Sequence, residues 1–221
     1  MFSAKKNLIQ LLRKTSFIRA RFISPITSGA VTASNSSWPG GSLLDKSLYA
    51  AGLLNWLWNS WNNYCRTWWL IHLCGGKNKY GVFVGPIHSS NISQSLYYML
   101  HLAGKRSKPT GVVTGTYQEA TWGDPNIIAQ MASNLPSLGM TPLSLLTSFG
   151  QGIKHLQLTR NSAIHPSSSS INQFHSEVVP FYSGANIKYP TDILLSTELT
   201  TRRTAILFWL EELEGFAVSL I

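Results

Sequence analysis

The chain has 221 residues, 44% hydrophobic and 11% aromatic, enough to bury a core in one domain or in one domain with an appended tail. Its most apolar stretch, Leu48 to Cys74, is broken by Asn55, Asn59, Asn62, Asn63 and Arg66, so it lacks the roughly 20 uninterrupted apolar residues of a membrane span, and a soluble protein is expected. The two cysteines, Cys65 and Cys74, have no second pair to complete a four-ligand zinc site and form no disulfide framework, so both read as reduced core residues.

The net charge of +9 is unevenly spread. Up to Gln118, thirteen Lys and Arg stand against the single acid Asp45, a balance of +12, whereas the rest of the chain has five bases and eight acids, a balance of −3. Clustered cations gain affinity for a polyanion by releasing the counterions condensed on its phosphates, so the N-terminal half points to RNA or DNA. A generally basic, solvated surface is the plainer reading of the same charges.

Residues 1–23 carry Lys5, Lys6, Arg13, Lys14, Arg19 and Arg21, no acid, and apolar Leu8, Ile9, Leu11, Leu12, Phe17, Ile18 and Phe22. Three readings fit this basic amphipathic segment: a nucleic-acid-binding helix, an ordinary first helix of the fold, or an organelle transit peptide. A secretory signal fits poorly, because basic residues recur throughout and no continuous apolar region forms. Ser24 to Gly41 is rich in Ser, Thr, Gly and Pro and reads as a linker. The expected organisation is therefore a basic segment with linker over 1–41 and a helical domain over 42–221.

Ser42 as an N-cap, with Asp45 three residues on, starts a helix of about thirty residues through Leu48, Leu54, Trp58, Trp61, Cys65, Trp69 and Leu73, stopped by Gly75-Gly76. Six of the eight tryptophans fall between Trp38 and Trp69. Aromatics at helical spacing read as core or dimer interface rather than as a base-stacking platform. Tyr80 to Val84 reads as a short strand or an extended link. A helix from about Ser90 to Ala103 ends at Gly104, before the basic knot Lys105-Arg106-Ser107-Lys108. Lys105, Arg106 and Lys108, with Lys77 and Lys79, are the candidate RNA-binding residues, although positive side chains past a helix C-terminus also complement its dipole.

Asp124-Pro125 begins a short helix to about Asn134, and Thr141-Pro142 begins another carrying Leu145, Leu146, Phe149, Ile153 and Leu156 toward Arg160. Ser167 to Ser170 reads as a flexible connector, Val178 to Tyr182 as a possible strand, and Glu198 to Val218 as a last helix. The fold class is mainly α, with an irregular basic N-terminal segment and long loops.

One segment carries chemistry: Arg160-Asn161-Ser162-Ala163-Ile164-His165-Pro166. Cutting RNA without metal needs a base near neutral pH for the 2′-hydroxyl, an acid for the leaving 5′-oxygen, and a fixed cation for the crowded phosphorane. Histidine titrates in the useful range, and guanidinium stays charged and can hold two phosphate oxygens. Asn161 can hold the imidazole or the arginine through its amide, and the helix boundary before Pro166 is expected to leave both side chains near solvent. The same residues also suit a plainer arrangement, with a solvated Arg, an Asn in a turn and a His capping a carbonyl.

The segment resembles the R-x4-6-H motif of the HEPN superfamily, including the polar residue directly after the arginine. The resemblance covers helix order over about Leu43 to Leu220 but only seven residues by identity. It implies a helical bundle of HEPN type and a metal-independent endoribonuclease with Arg160 and His165 as catalytic pair and Asn161 in support. It further implies a homodimer that brings two motifs together, with a role as toxin or anti-phage defence effector restrained by an antitoxin or sensor partner. The Ser-rich stretch after Pro166 and the glycines Gly150 and Gly152, each weakening the preceding helix by up to about 1 kcal/mol, depart from that pattern.

His155, five residues before Arg160, could line the same surface, and His175 follows in the loop, although a lone His is more often structural. His72, His88 and His101 have no partner at metal-ligand spacing, so neither metal nor cofactor is expected. Gly75-Gly76-Lys77 lacks the upstream Gly and the following Ser or Thr of a phosphate loop, and Glu211 and Glu212 read as solvated surface. The competing functional class is a non-catalytic RNA-binding or protein-interaction module. A cytoplasmic location is expected, with the transit-peptide reading left open.

Overall fold

A computed structural model describes residues 2–27, 43–115, 118–135, 141–183 and 187–221. The basic N-terminal segment, expected to be irregular, is instead helical: strand β1 (Phe2–Ser3) leads into α1 (Ala4–Thr27), which also takes up the first residues of the expected linker. Most of the linker expected from Ser24 onward lies outside the described residues, as does the expected N-cap Ser42. The Trp-rich helix is α2, Leu43–Cys74, 32 residues long. It stops at Gly75, whose φ of +84° suits a residue without Cβ.

Contacts divide the chain into two units. The first gathers Met1–Leu12, Ser60–Gly150 and Gly215–Ile221, and the second Arg13–Asn59 and Gln151–Glu214. Several of the boundaries between them lie inside helices.

The core of the first unit is aromatic. Trp61 stacks on Tyr64 at 5.7 Å, meets Phe216 edge-on at 5.5 Å, and donates its indole N–H to the Gly123 carbonyl at 2.9 Å. A Cβ at Gly123 would lie 2.4 Å from the Trp61 ring, so this glycine is what admits the indole. The tryptophans Trp61, Trp68 and Trp69 are buried, as a packing role requires, and Cys65 and Cys74 are free and buried. Strands β2 (Gly76–Lys77) and β3 (Phe83–Val84) form a hairpin, with β1 parallel to β2. Helix α3 (Ile92–Leu102) is capped by the Asn91 side chain and closes at Gly104, φ +66°, with Gly104 N–H on the His101 carbonyl and Lys105 N–H on the Leu100 carbonyl. Helix α4 (Pro125–Asn134) starts as its sequence directs, with Asp124 accepting from Asn126 N–H at 2.8 Å.

In the second unit, the core is built from Ile18 and Phe22 of α1, Leu54 and Leu57 of α2, Ile153 and Leu156 of α5 (Thr141–Ile164), and Trp209 and Leu213 of α7 (Ala205–Ser219). Two expectations are corrected here. The serine run after Pro166 is α6, Ser168–Glu177: Ser167 accepts from Ser170 N–H, Ser170 accepts from Ser167 N–H, and Phe174 anchors the helix in the core. Short hydroxyls cap this helix where flexibility was expected. The last helix starts at Ala205 rather than Glu198. Glu198 belongs to β5 (Thr197–Glu198), paired antiparallel with β4 (Tyr182–Ser183), and its carboxylate accepts from both Thr201 N–H and Thr201 Oγ1, which holds a turn containing Arg202 at φ +60°.

The chain is mainly α, with helical-bundle character. Among the described residues no helix is long and apolar enough to cross a membrane.

Candidate functional site

Arg160 and Asn161 occupy the last turn of α5, and His165 follows it directly, its backbone N–H still bonded to the Asn161 carbonyl at 2.9 Å. The helical spiral therefore continues through the whole motif. At about 100° per residue, Arg160, Ile164, Asn161 and His165 fall in that order across an arc of about 140°. All four are half-buried or exposed, whereas His155, Leu156, Leu158, Thr159 and Ser162 face inward. The motif is thus one continuous strip of helix surface.

Within this strip the two ends differ. Arg160 is half-buried, more enclosed than a helix boundary led us to expect. Its Nε and Nη2 both donate to Asn55 Oδ1, at 2.9 and 2.7 Å, and its Nη1 donates to Asn161 Oδ1 at 3.1 Å. Burial lowers its pKa from the ordinary value, but a guanidinium stays charged. Of its five N–H bonds, three are used in these contacts and one is left over on each terminal nitrogen. His165 is exposed, and its ring has no hydrogen-bond partner among the described residues. Its carbonyl accepts from Ser170 Oγ at 3.1 Å, which ties the motif to the start of α6.

Asn55 is the residue that sequence reasoning missed. It lies 105 positions from Arg160, on α2. The available signal was a polar side chain interrupting an apolar helix face, which was read only as a break in hydrophobicity.

His155 does not line this surface. It is buried, about 140° from Arg160 in the other direction around α5 and about 15 Å from His165 along the axis. Trp209 Nε1 donates to Tyr182 Oη at 2.7 Å, and Tyr182 Oη lies 2.8 Å from His155 Nδ1. A neutral imidazole accepting from the tyrosine satisfies this chain, and burial, aided by Lys154, pushes the His155 pKa down to about 4. Beside it, Gly152 N–H donates to Glu212 Oε2 at 2.5 Å, and a Cβ at Gly152 would lie 2.8 Å from that oxygen. The glycine that weakens α5 is what admits the carboxylate. Burial, with the Glu198 charge adding to it against the Gly152 amide, raises the Glu212 pKa to about 7. Glu212 is accordingly half-buried and bonded, which corrects the reading of it as solvated surface. His175 is exposed on α6.

The candidate phosphate-binding residues belong to the first unit and the motif to the second. Lys77 and Lys79 are exposed on the β2–β3 hairpin, and Lys105, Arg106 and Lys108 are exposed after α3. None of the five is in an ion pair among the described residues. Among those residues, too, no group of three or more His, Cys, Asp and Glu could hold a metal ion. No protein-family model, curated protein or solved structure matches the chain.

Proposed function

We propose that the chain is an endoribonuclease that cuts RNA without a metal ion, with Arg160 and His165 as catalytic pair and Asn161 as the residue that positions the arginine. The observation that carries this reading is the strip itself: a guanidinium pinned by two asparagines, with N–H bonds to spare, on one arc with an exposed imidazole that has no hydrogen-bond partner among the described residues. In the reaction, the 2′-oxygen attacks the adjacent phosphorus while the His165 imidazole takes its proton. The P–O5′ bond breaks, and the leaving 5′-oxygen receives a proton from the imidazolium of a second copy's histidine. Arg160 stabilises the charge that gathers on the phosphorane oxygens. The products are a 2′,3′-cyclic phosphate and a 5′-hydroxyl, and the functional unit is a homodimer. Lys77, Lys79, Lys105, Arg106 and Lys108 hold the substrate's phosphates. The resemblance to HEPN proteins adds a cytoplasmic toxin or anti-phage defence role, with an antitoxin or sensor protein restraining the enzyme.

A second reading, a module that holds RNA or a protein partner without cutting, is favoured by one observation: Arg160 already spends three N–H bonds inside the protein. The test that separates the two is product chemistry. The purified full chain, incubated with RNA in excess chelator, is expected to release fragments ending in 2′,3′-cyclic phosphate and 5′-hydroxyl. Intact RNA, or fragments bearing 5′-phosphate, would overturn the nuclease assignment.

A further inference from the structure

The first unit carries eight Lys and Arg against two acids, Glu119 and Asp124, and Glu119 is already paired with Arg66 at 2.6 Å. Its exposed cations lie among exposed rings. On the β2–β3 hairpin, Tyr80 is 78% and Phe83 56% exposed, and Lys79 Nζ sits 5.2 Å from the Tyr80 ring centroid. Past the hairpin, exposed His88 stacks on Tyr98, with centroids 4.3 Å apart and planes 2° from parallel. Tyr98 in turn neighbours His101 at 6.2 Å, His101 Nδ1 is bonded to the Arg106 carbonyl at 3.0 Å, and the Arg106 guanidinium lies 6.0 Å from the Tyr97 ring. Gly111 lies flat against Tyr97, since a Cβ there would be 2.5 Å from that ring, so the loop bearing Lys105, Arg106 and Lys108 is packed back onto α3.

Exposed rings, set among cations that form no ion pair among the described residues, match one kind of polyanion better than others. A duplex hides its base faces and offers only phosphates to such a surface, whereas an unpaired strand offers both. We infer that this face of the first unit binds single-stranded nucleic acid, with bases stacking on Tyr80, Phe83 and His88 and phosphates held by Lys77, Lys79, Lys105, Arg106 and Lys108. That the strand is RNA rests on the function proposed above; that it is single-stranded rests on the rings alone. The rings escaped sequence reasoning because it weighed stacking only for the tryptophans of α2, which are mostly buried.

The test is fluorescence anisotropy with the full-length His165→Ala chain, which removes cutting from the measurement, and labelled oligouridylate, oligodeoxythymidylate and a duplex of equal length. Single strands are expected to bind more tightly than the duplex. Replacing Tyr80 and Phe83 together by Ala is expected to weaken single-strand binding by roughly 5- to 150-fold per lost base stack while leaving the salt dependence intact. Replacing Lys105, Arg106 and Lys108 by Ala is expected to flatten the salt dependence by about one unit per lost phosphate contact. Both ring positions are exposed, and an unchanged melting temperature confirms that the variant folds. Duplex bound as tightly as single strand, or single-strand binding untouched by the ring variant, overturns the inference. So does the absence of nucleic-acid binding at low salt, an outcome that assigns the surface to an acidic protein partner. Strand binding without cutting by the unmodified chain leaves this inference standing and removes only the nuclease.

Discussion

Two histidines of one helical spiral, His155 within α5 and His165 just beyond its end, have opposite fates. His155 is 3% exposed, bonded to Tyr182 Oη, and driven by burial toward the neutral form. His165 is exposed, on the same strip of helix surface as an arginine fixed by Asn55 and Asn161. The residue type is the same, so what separates a buried, hydrogen-bonded histidine from a solvent-exposed one is the side of the helix it occupies and what that side packs against. The inward side is a closed polar chain from Trp209 through Tyr182 to His155, and the outward side is a cation and an open ring.

Three substitutions probe that division, from the largest expected effect to the smallest. Tyr182→Phe leaves the buried Trp209 N–H and the His155 ring nitrogen without a partner, so thermal or denaturant melting is expected to show a loss of roughly 2–4 kcal/mol. RNA cleavage per folded molecule should stay unchanged. A matching fall in cleavage would mean that the two sides of α5 are not separate.

Asn55→Ala frees the guanidinium without touching the reacting groups. Cleavage is expected to fall roughly 10- to 100-fold, as misplacement of a catalytic group does. Asn55→Asp, which restores an acceptor for Nε and Nη2, should recover most of the rate. Recovery of the rate, with a melting temperature unchanged in Asn55→Ala, separates positioning from general destabilisation, since a merely structural role would lower the melting temperature along with the rate.

Glu212→Gln gives the smallest and most pH-dependent change. With its folded pKa raised to about 7 from 4.5, Glu212 makes the folded state hold more protons than the unfolded one in that window, so its contribution to stability falls as pH rises. His155, lowered to about 4 from 6.5, makes the folded state hold fewer protons, so its contribution falls as pH drops through that range. The two slopes oppose each other between 4.5 and 6.5. The glutamine still accepts from Gly152 N–H, so the variant's melting temperature should equal the parent's near pH 4.5 and exceed it at pH 8 by on the order of 2 °C. Lower stability at pH 8 would show that the charged carboxylate is favourable there.

Local signals made some elements readable from the sequence and left others hidden. The stops of α2 and α3 and the start of α4 were legible because Gly75, Gly104, and Asp124 with Pro125 do locally what their chemistry allows. Helix α6 was hidden because four serines suggest solvent; its existence depends on Ser167 and Ser170 capping each other and on Phe174 finding the core. The start of α7 was misplaced because apolar spacing extends back to Leu199, while Glu198 spends its carboxylate on the Thr201 turn. At the candidate site, Arg160, Asn161 and His165 stand out as a string because their residue types are those that the proposed chemistry needs. Asn55, which fixes the arginine from another helix, was hidden because nothing local connects residues 105 positions apart.

The central claim is tested most directly by the cleavage rate of His165→Ala beside His175→Ala, an exposed histidine on α6 that the chemistry does not use. Loss of roughly 100-fold or more in His165→Ala, with an unchanged melting temperature and full activity in His175→Ala, is the predicted result. Cleavage by His165→Ala at the rate of the unmodified chain would contradict the assignment.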